Sequence, residues 1–269
     1  MLERFPGQRF LRSNFGAIGF ESDAPDLMTT GKLPRELNGT LFRNGPNPMF
    51  APRDQYHMAS GDGMVHAFKL AAGRVSCRNR WVRTQKLERE IAAGHALFGT
   101  FGNPATSDPA VVGLPDHVAN THVIWHGQRL LALEEFNLPF ELEPHTLASR
   151  GSFDYAGALQ GPMTARPKLD PKTGELHFVG YGVGGLGSPR IAYHVADTHG
   201  HLRRTVTFDA PYAAMVHDFI LTEHHVLLPI FPLTISPARA ASHCWRGNRP
   251  KARPSAAYRA AVTFPPCVG

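Results

Sequence analysis

Met215-Val216-His217-Asp218-Phe219-Ile220-Leu221-Thr222, running on through Glu223-His224-His225 to Phe231, is the stretch whose reading decides the fold. It reads as a hairpin: an apolar strand, a short polar turn, then a second apolar run from 226 to 231. Strict alternation places Val216, Asp218 and Ile220 on one face and His217, Phe219 and Leu221 on the other. His217 then shares a face with large apolar side chains. An imidazole in that setting has two readings. It is a core histidine bonded to backbone, or, once one ring nitrogen has an acceptor, it offers the lone pair of the other to a metal.

Working outward, the same hairpin pattern recurs. Apolar runs at 64–70 and 75–84 flank Ala72-Gly73, and runs at 121–125 and 129–135 flank Gly127-Gln128. Further pairs lie at 163–169 with 175–181 and at 190–195 with 202–208, each around a turn of Asp, Pro or Gly. A short strand at 37–42 ends in Asn44-Gly45-Pro46. Only 85–93 reads as helix, and 95–115 is a long Gly- and Pro-containing loop carrying Phe98 and Phe101. Consecutive hairpins at near-regular intervals with almost no helix predict an all-β chain of antiparallel hairpins. A β-propeller suits this pattern, and periodicity alone leaves a sandwich open.

The expected organisation is an irregular lead-in at 1–36, broken by Pro6, Pro25 and Pro34, then the hairpin array at 37–234. From about Ile235 the text turns to Ala, Arg and Pro without periodicity, so 235–269 is expected to be an aberrant, disordered tail. The net charge of +6 over 269 residues is scattered rather than clustered, which argues against nucleic acid. Cys77, Cys244 and Cys267 are an odd number without metal spacing and suit a reducing compartment. No apolar core of a leader stands in the first twenty residues, and no run is apolar enough to span a bilayer. A cytoplasmic protein is the expectation.

Five motifs in order sharpen this reading. They are Gly39-Thr-Leu-Phe-Arg43-Asn44-Gly45-Pro46-Asn47-Pro48, then Gly61-Asp62-Gly63-Met64-Val65-His66-Ala67-Phe68, then Ala119-Asn120-Thr121. Thr164-Ala-Arg-Pro-Lys168 with Asp170-Pro-Lys-Thr-Gly-Glu175-Leu176 follows, and Val216-His217-Asp218-Phe219 closes the series. In this order and spacing, up to Leu233, the chain resembles the carotenoid oxygenase family, the carotenoid- and stilbene-cleaving iron dioxygenases. The resemblance implies a seven-bladed β-propeller with iron on its axis, of which this chain holds about half. It implies cleavage of a conjugated C=C bond of a carotenoid, apocarotenoid or stilbene-type substrate to carbonyl products, using Fe(II) and dioxygen.

The family holds iron with four histidines backed by glutamates. His217 matches one ligand. The preceding ligand, in a Thr-Ala-His-Pro-Lys motif, is here Arg166. Guanidinium has no lone pair to give and stays protonated, so it cannot ligate. Beside a dication it would cost several kcal/mol at an effective dielectric of roughly 20. Glu135 matches a glutamate expected to accept the ring N–H of His217. The stilbene-cleaving branch places a tyrosine and a lysine around a phenol hydroxyl, and those places look like Phe101 and Glu134 here. The overall text favours the stilbene branch, whereas these two residues favour an apolar polyene; both stay open. The implied partners are an apolar conjugated small molecule and dioxygen, with peripheral membrane contact and without nucleic acid. Iron is not expected to be retained by a truncated chain with one matched ligand, which as written is expected to be inactive. The alternative is a non-catalytic propeller fragment or binding module.

The other signals are read structurally. Gly61-Asp62-Gly63 precedes a strand rather than a helix, so it is a turn and not a phosphate loop. His122, His126, His194, His199 and His201 fall at turns or strand ends and are expected at the surface.

Overall fold

The computed structural model describes residues 4–5 and 7–235, together with two short strands at 245–247 and 261–262. Its first sheet contains β1 (Ser22–Ala24), β2 (Gly39–Pro46), β3 (Gly63–Ala71) and β4 (Arg74–Trp81), ordered β1-β4-β3-β2 and wholly antiparallel. The turn between β3 and β4 places Ala72 and Gly73 at φ 51° and 79°. Positive φ at both central residues is the turn geometry that matches strand twist in two-residue hairpins. Helix α1 (Gln85–Ala93) follows, with the Thr84 side chain accepting the N–H of Leu87 and Gly94 closing the other end in the left-handed region.

The second sheet runs in chain order through β5 (His122–His126), β6 (Arg129–Leu133), β7 (Phe140–Leu142) and β8 (Ser149–Ser152). The third does the same through β9 (Lys168–Leu169), β10 (Leu176–Tyr181), β11 (Arg190–Ala196) and β12 (Leu202–Asp209). A further set begins with β13 (Ile220–Leu221) and β14 (Val226–Leu227), followed by β15 (Leu233–Ile235). Of the two last strands, β16 (Trp245–Gly247) pairs with β15 and β17 (Ala261–Val262) with β14. Apart from these strands, the tail expected from about 235 lies outside the described residues.

Side-chain alternation explains why the sheets stack. Leu130 and Ala132 of β6 join Val65, Ala67 and Val82 in a core between the first two sheets. Leu131 and Leu133, on the opposite face, join Leu176, Phe178 and Ala196 between the second and third. Val179 and Tyr181 of β10 then face Val216, Phe219 and Val226 in the next layer. Strands of period two with both faces apolar can satisfy themselves only between neighbours on both sides. Each fully buried Leu or Phe is worth roughly 1.5–3 kcal/mol relative to exposure.

Three expectations are corrected. The alternation read through 215–221 does not hold, because only Ile220–Leu221 is strand. Val216 and Phe219 are both buried, three residues apart, while His217 and Asp218 between them are exposed. The chain is crossing from one sheet to the next there, and core contact rather than pleat decides which side chains turn inward. Similarly the run at 163–169 is strand only over β9, with Met163, Thr164 and Ala165 buried in irregular backbone. Finally, His126 and His194 are buried rather than at the surface. His126 Nε2 lies 3.2 Å from the Gly174 carbonyl, and His194 Nδ1 lies 2.9 Å from Thr205 Oγ1.

Candidate active site

His217 is held by its neighbours in the chain: Val216 and Phe219 anchor the crossing in the core and leave the imidazole about half exposed, 49% of its side chain. Its Nδ1 meets Glu135 Oε1. Glu135 follows the end of β6 and is buried, and Tyr181 at the end of β10 donates its hydroxyl to Glu135 Oε2 at 2.6 Å. Burial pushes the Glu135 carboxyl above its ordinary range, and the Tyr181 hydrogen bond and the His217 charge oppose that shift. Burial, then the Glu135 charge, pushes the Tyr181 phenol up as well. A donor at Nδ1 leaves the ring's lone pair at Nε2.

What Nε2 faces is Arg166, whose Nη2 lies 3.4 Å away. Two residues on, Lys168 Nζ donates to Asp218 Oδ1 at 2.7 Å. The segments 166–168 and 217–218 are thus matched side chain to side chain, three strands apart in sequence. Among the described residues no group of three or more His, Cys, Asp and Glu side chains could hold a metal ion. His217 supplies one suitable lone pair, and Arg166 points a cation at it. This donor set does not fit an iron centre.

Beside His217 lies a cavity of about 450 Å³ whose lining includes Asn44, His57, Phe101, Glu134, Phe136 and His217. One wall is a run of rings. His57 stacks on Phe101 at 5.2 Å, Phe101 meets Phe136 at 5.8 Å, and Phe136 meets Tyr181 edge-on at 5.7 Å. Phe101 and Glu134 therefore both reach this cavity. Burial, reinforced by the Asp116 charge, pushes the Glu134 carboxyl up to about 8, so it is neutral at pH 7. A neutral carboxyl there sets no negative charge against a phenol hydroxyl. His117 Nε2 sits 3.8 Å from Glu134 Oε1, and burial lowers that imidazole to about 4, so two neutral groups meet there. Sequence reasoning missed His57, Phe136 and Tyr181. His57 and Phe136 lie in loops, and Tyr181 sits behind Phe136 at the end of β10, where no periodicity marks a side chain as part of a cavity wall.

The family described as "Retinal pigment epithelial membrane protein" matches residues 15–256. The chain belongs to that family, the carotenoid oxygenases. It is 42% identical over 220 residues to an isoeugenol monooxygenase of Pseudomonas nitroreducens, a match covering 81% of this chain and 46% of that protein. It is 36% identical over 239 residues to resveratrol cleavage oxygenase 1 of Chaetomium globosum, covering 87% of this chain and 40% of that one. The crystal structure of Pseudomonas brassicacearum lignostilbene dioxygenase superposes with a TM-score of 0.87 at 35% identity, covering 91% of this chain and 52% of that one. The fold is accordingly all-β and part of a carotenoid oxygenase propeller. The chain spans about half the length of the curated relatives it matches. No helix among the described residues is long and apolar enough to cross a membrane.

Proposed function

We propose that the chain serves oxidative cleavage of a conjugated carbon–carbon double bond, and that its own contribution is the substrate cavity. The substrate class favoured is an aryl alkene carrying a hydroxyl group. The observation that carries this is the cavity itself: a ring-lined space with one buried carboxyl, Glu134, neutral at pH 7 and able both to donate to and to accept from a hydroxyl. The relatives named for isoeugenol and resveratrol agree with such a substrate better than with a polyene.

In this reading the whole reaction consumes dioxygen, yields two carbonyl products and depends on Fe(II). The residues described do not complete that iron site, so the 269 residues by themselves bind substrate without turning it over. Arg166 is the specific observation favouring this second, non-catalytic reading of the isolated chain. Exposed Phe15, Phe20, Met28 and Val112 would supply peripheral contact with a membrane, and the free Cys77 suits a reducing, cytoplasmic setting.

The test has two arms. Titration of the 269-residue chain with trans-4-hydroxystilbene, followed by ligand fluorescence, is expected to show saturable binding. Metal analysis after anaerobic ferrous reconstitution is expected to show far less than one iron per chain. Absence of saturable binding overturns the substrate reading, and stoichiometric iron overturns the non-catalytic one.

A further inference from the structure

Behind the ring-lined wall lies a charge cluster that no part of the proposed reaction uses. Lys86, in the first turn of α1, is 6% exposed, and Asp62 and Glu90 beside it are 3% and 2% exposed. Lys86 Nζ donates to Asp62 Oδ1 at 2.8 Å and to Glu90 Oε2 at 2.7 Å. Burial favours the neutral amine, yet the two carboxylates hold Lys86 above its ordinary value. One ammonium against two carboxylates leaves an excess of negative charge in the protein interior. Such a charge is costly unless hydrogen-bond donors meet it.

The donors that meet it come from two loops. Glu90 Oε1 accepts the main-chain N–H of Leu97 at 2.9 Å and of Phe98 at 3.1 Å. Asp62 Oδ2 accepts the N–H of Met49 at 3.0 Å, and the Asp62 carbonyl accepts that of Asn47 at 2.7 Å. The triad thus ties α1 to the segment at 47–62 and to the loop after Gly94. Those are the two segments that build the cavity wall: the first contributes His57, Met58 and Ala59, the second Phe101. They are also laced to each other. Phe101 N–H donates to Ser60 Oγ at 2.6 Å, Thr100 Oγ1 donates to the Gln55 carbonyl at 2.9 Å, and Arg53 Nε donates to the Thr106 carbonyl at 2.8 Å. None of the three triad residues lines the cavity.

We infer that Lys86, Asp62 and Glu90 are positioning residues that hold the His57–Phe101 wall of the cavity in place, so that substrate affinity depends on them without contact. The dependence is mutual. The triad needs the loop N–H groups to balance its charge, and the loops, whose regular structure is limited to single 3-10 turns at Met58–Ser60, Pro104–Thr106 and Pro109–Val111, need the triad to fix where Phe101 stands. An irregular segment this long is otherwise among the first parts of a domain to open. The inference rests on the cavity being the substrate site.

The experiment joins amide hydrogen exchange to ligand binding, in the 269-residue chain and in Glu90→Gln, Lys86→Gln and Lys86→Arg. In the unmodified chain the Leu97 and Phe98 amides are expected to exchange at least tenfold more slowly than the amides of 95–115 that have no acceptor among the described residues, such as Gly102 and Val112. Glu90→Gln and Lys86→Gln are expected to speed that exchange at least tenfold and to weaken trans-4-hydroxystilbene about tenfold, with the far-ultraviolet circular dichroism unchanged. Lys86→Arg, which keeps the charge, is expected to restore most of both. Leu97 and Phe98 amides as labile as those acceptor-free amides in the unmodified chain would overturn the inference even if the variants fail to fold. Faster exchange with unchanged affinity would show a tether that binding does not need, and would overturn the positioning role. If the unmodified chain does not bind the stilbene, the substrate reading fails and the role falls with it, whereas slow Leu97 and Phe98 exchange would still mark the tether as present.

Discussion

At His217 the two ring nitrogens face opposite chemistry: Nδ1 meets the Glu135 carboxylate and Nε2 the Arg166 guanidinium. The first contact prepares a lone pair for a metal, and the second fills the direction in which that lone pair points. Arg166→His removes the cation and brings a second imidazole to the same place. Two imidazoles suit a borderline divalent ion but fall short of a complete iron centre. Expected is a rise of at least tenfold in Co(II) affinity, read from the visible absorption of the bound ion, with no cleavage of hydroxystilbene. Equal Co(II) binding by both forms would show that Arg166 is not what keeps metal away. The His217–Arg166 meeting was legible in the sequence only through the family motif. Nothing in the local pattern of Thr164-Ala-Arg-Pro-Lys168 says that its third residue faces a histidine 51 positions on.

Among the elements, β6 shows what alternation reads well. The run Leu130-Leu131-Ala132-Leu133 is apolar at every position, because sheets lie against both of its faces. Leu131 is 1% exposed and packs toward the third sheet. Leu131→Ala is expected to cost about 2–5 kcal/mol, measured by urea unfolding, because a rigid interface between sheets closes poorly around a lost side chain. A cost below about 1 kcal/mol would mean that the two sheets are not packed as described. Alternation served β12 equally well, with half-buried and exposed residues trading places along Leu202–Asp209. It failed at 215–219 because a crossing segment has no pleat to impose a period of two. Strands β1, β7 and β8 were missed altogether. At three or four residues each they are too short to show a period, and they are strand only because a neighbouring edge offers them hydrogen bonds.

At the scale of the whole molecule, burial of titratable groups between sheets makes stability depend on pH from both sides. His194 stacks on Phe178 at 4.9 Å, and burial lowers it to about 4 from the ordinary 6.5. The unfolded chain binds the proton more tightly there, so this contribution is complete above pH 6.5 and is lost as pH falls toward 4. The loss amounts to roughly 3 kcal/mol at most. Glu134 works in the other direction. Its folded value of about 8 lies above the ordinary 4.5, so its contribution is complete below pH 4.5 and is lost as pH rises toward 8. His117, lowered alike, adds to the acid limb, so two imidazoles outweigh one carboxyl below pH 6.5, and unfolding followed from pH 4 to pH 9 is expected to show a stability maximum near pH 6.5. Glu134→Gln should flatten the alkaline limb, and His194→Gln should lessen the acid limb without abolishing it, since His117 remains. A Glu134→Gln profile that still falls from pH 6.5 to 8 as steeply as the unmodified one would rule out a buried neutral carboxyl at that position.

Hydrophobic periodicity and turn chemistry by themselves determined that this is an all-β chain of successive antiparallel hairpins with one helix at 85–93, because pleat and turn are local properties. Motif order determined the family, and with it His217, Glu135 and Arg166 as residues to examine. Tertiary structure alone decided that Val216 and Phe219 turn inward while His217 faces Arg166, and that His57 and Phe136 join Phe101 along one cavity with Tyr181 packed behind Phe136. It also decided that Glu134 is neutral. Those outcomes depend on which surfaces are brought together from distant positions and on how far water is excluded between them. A desolvated carboxyl and a solvated one are spelled by the same residue, so the difference appears only once the sheets have packed.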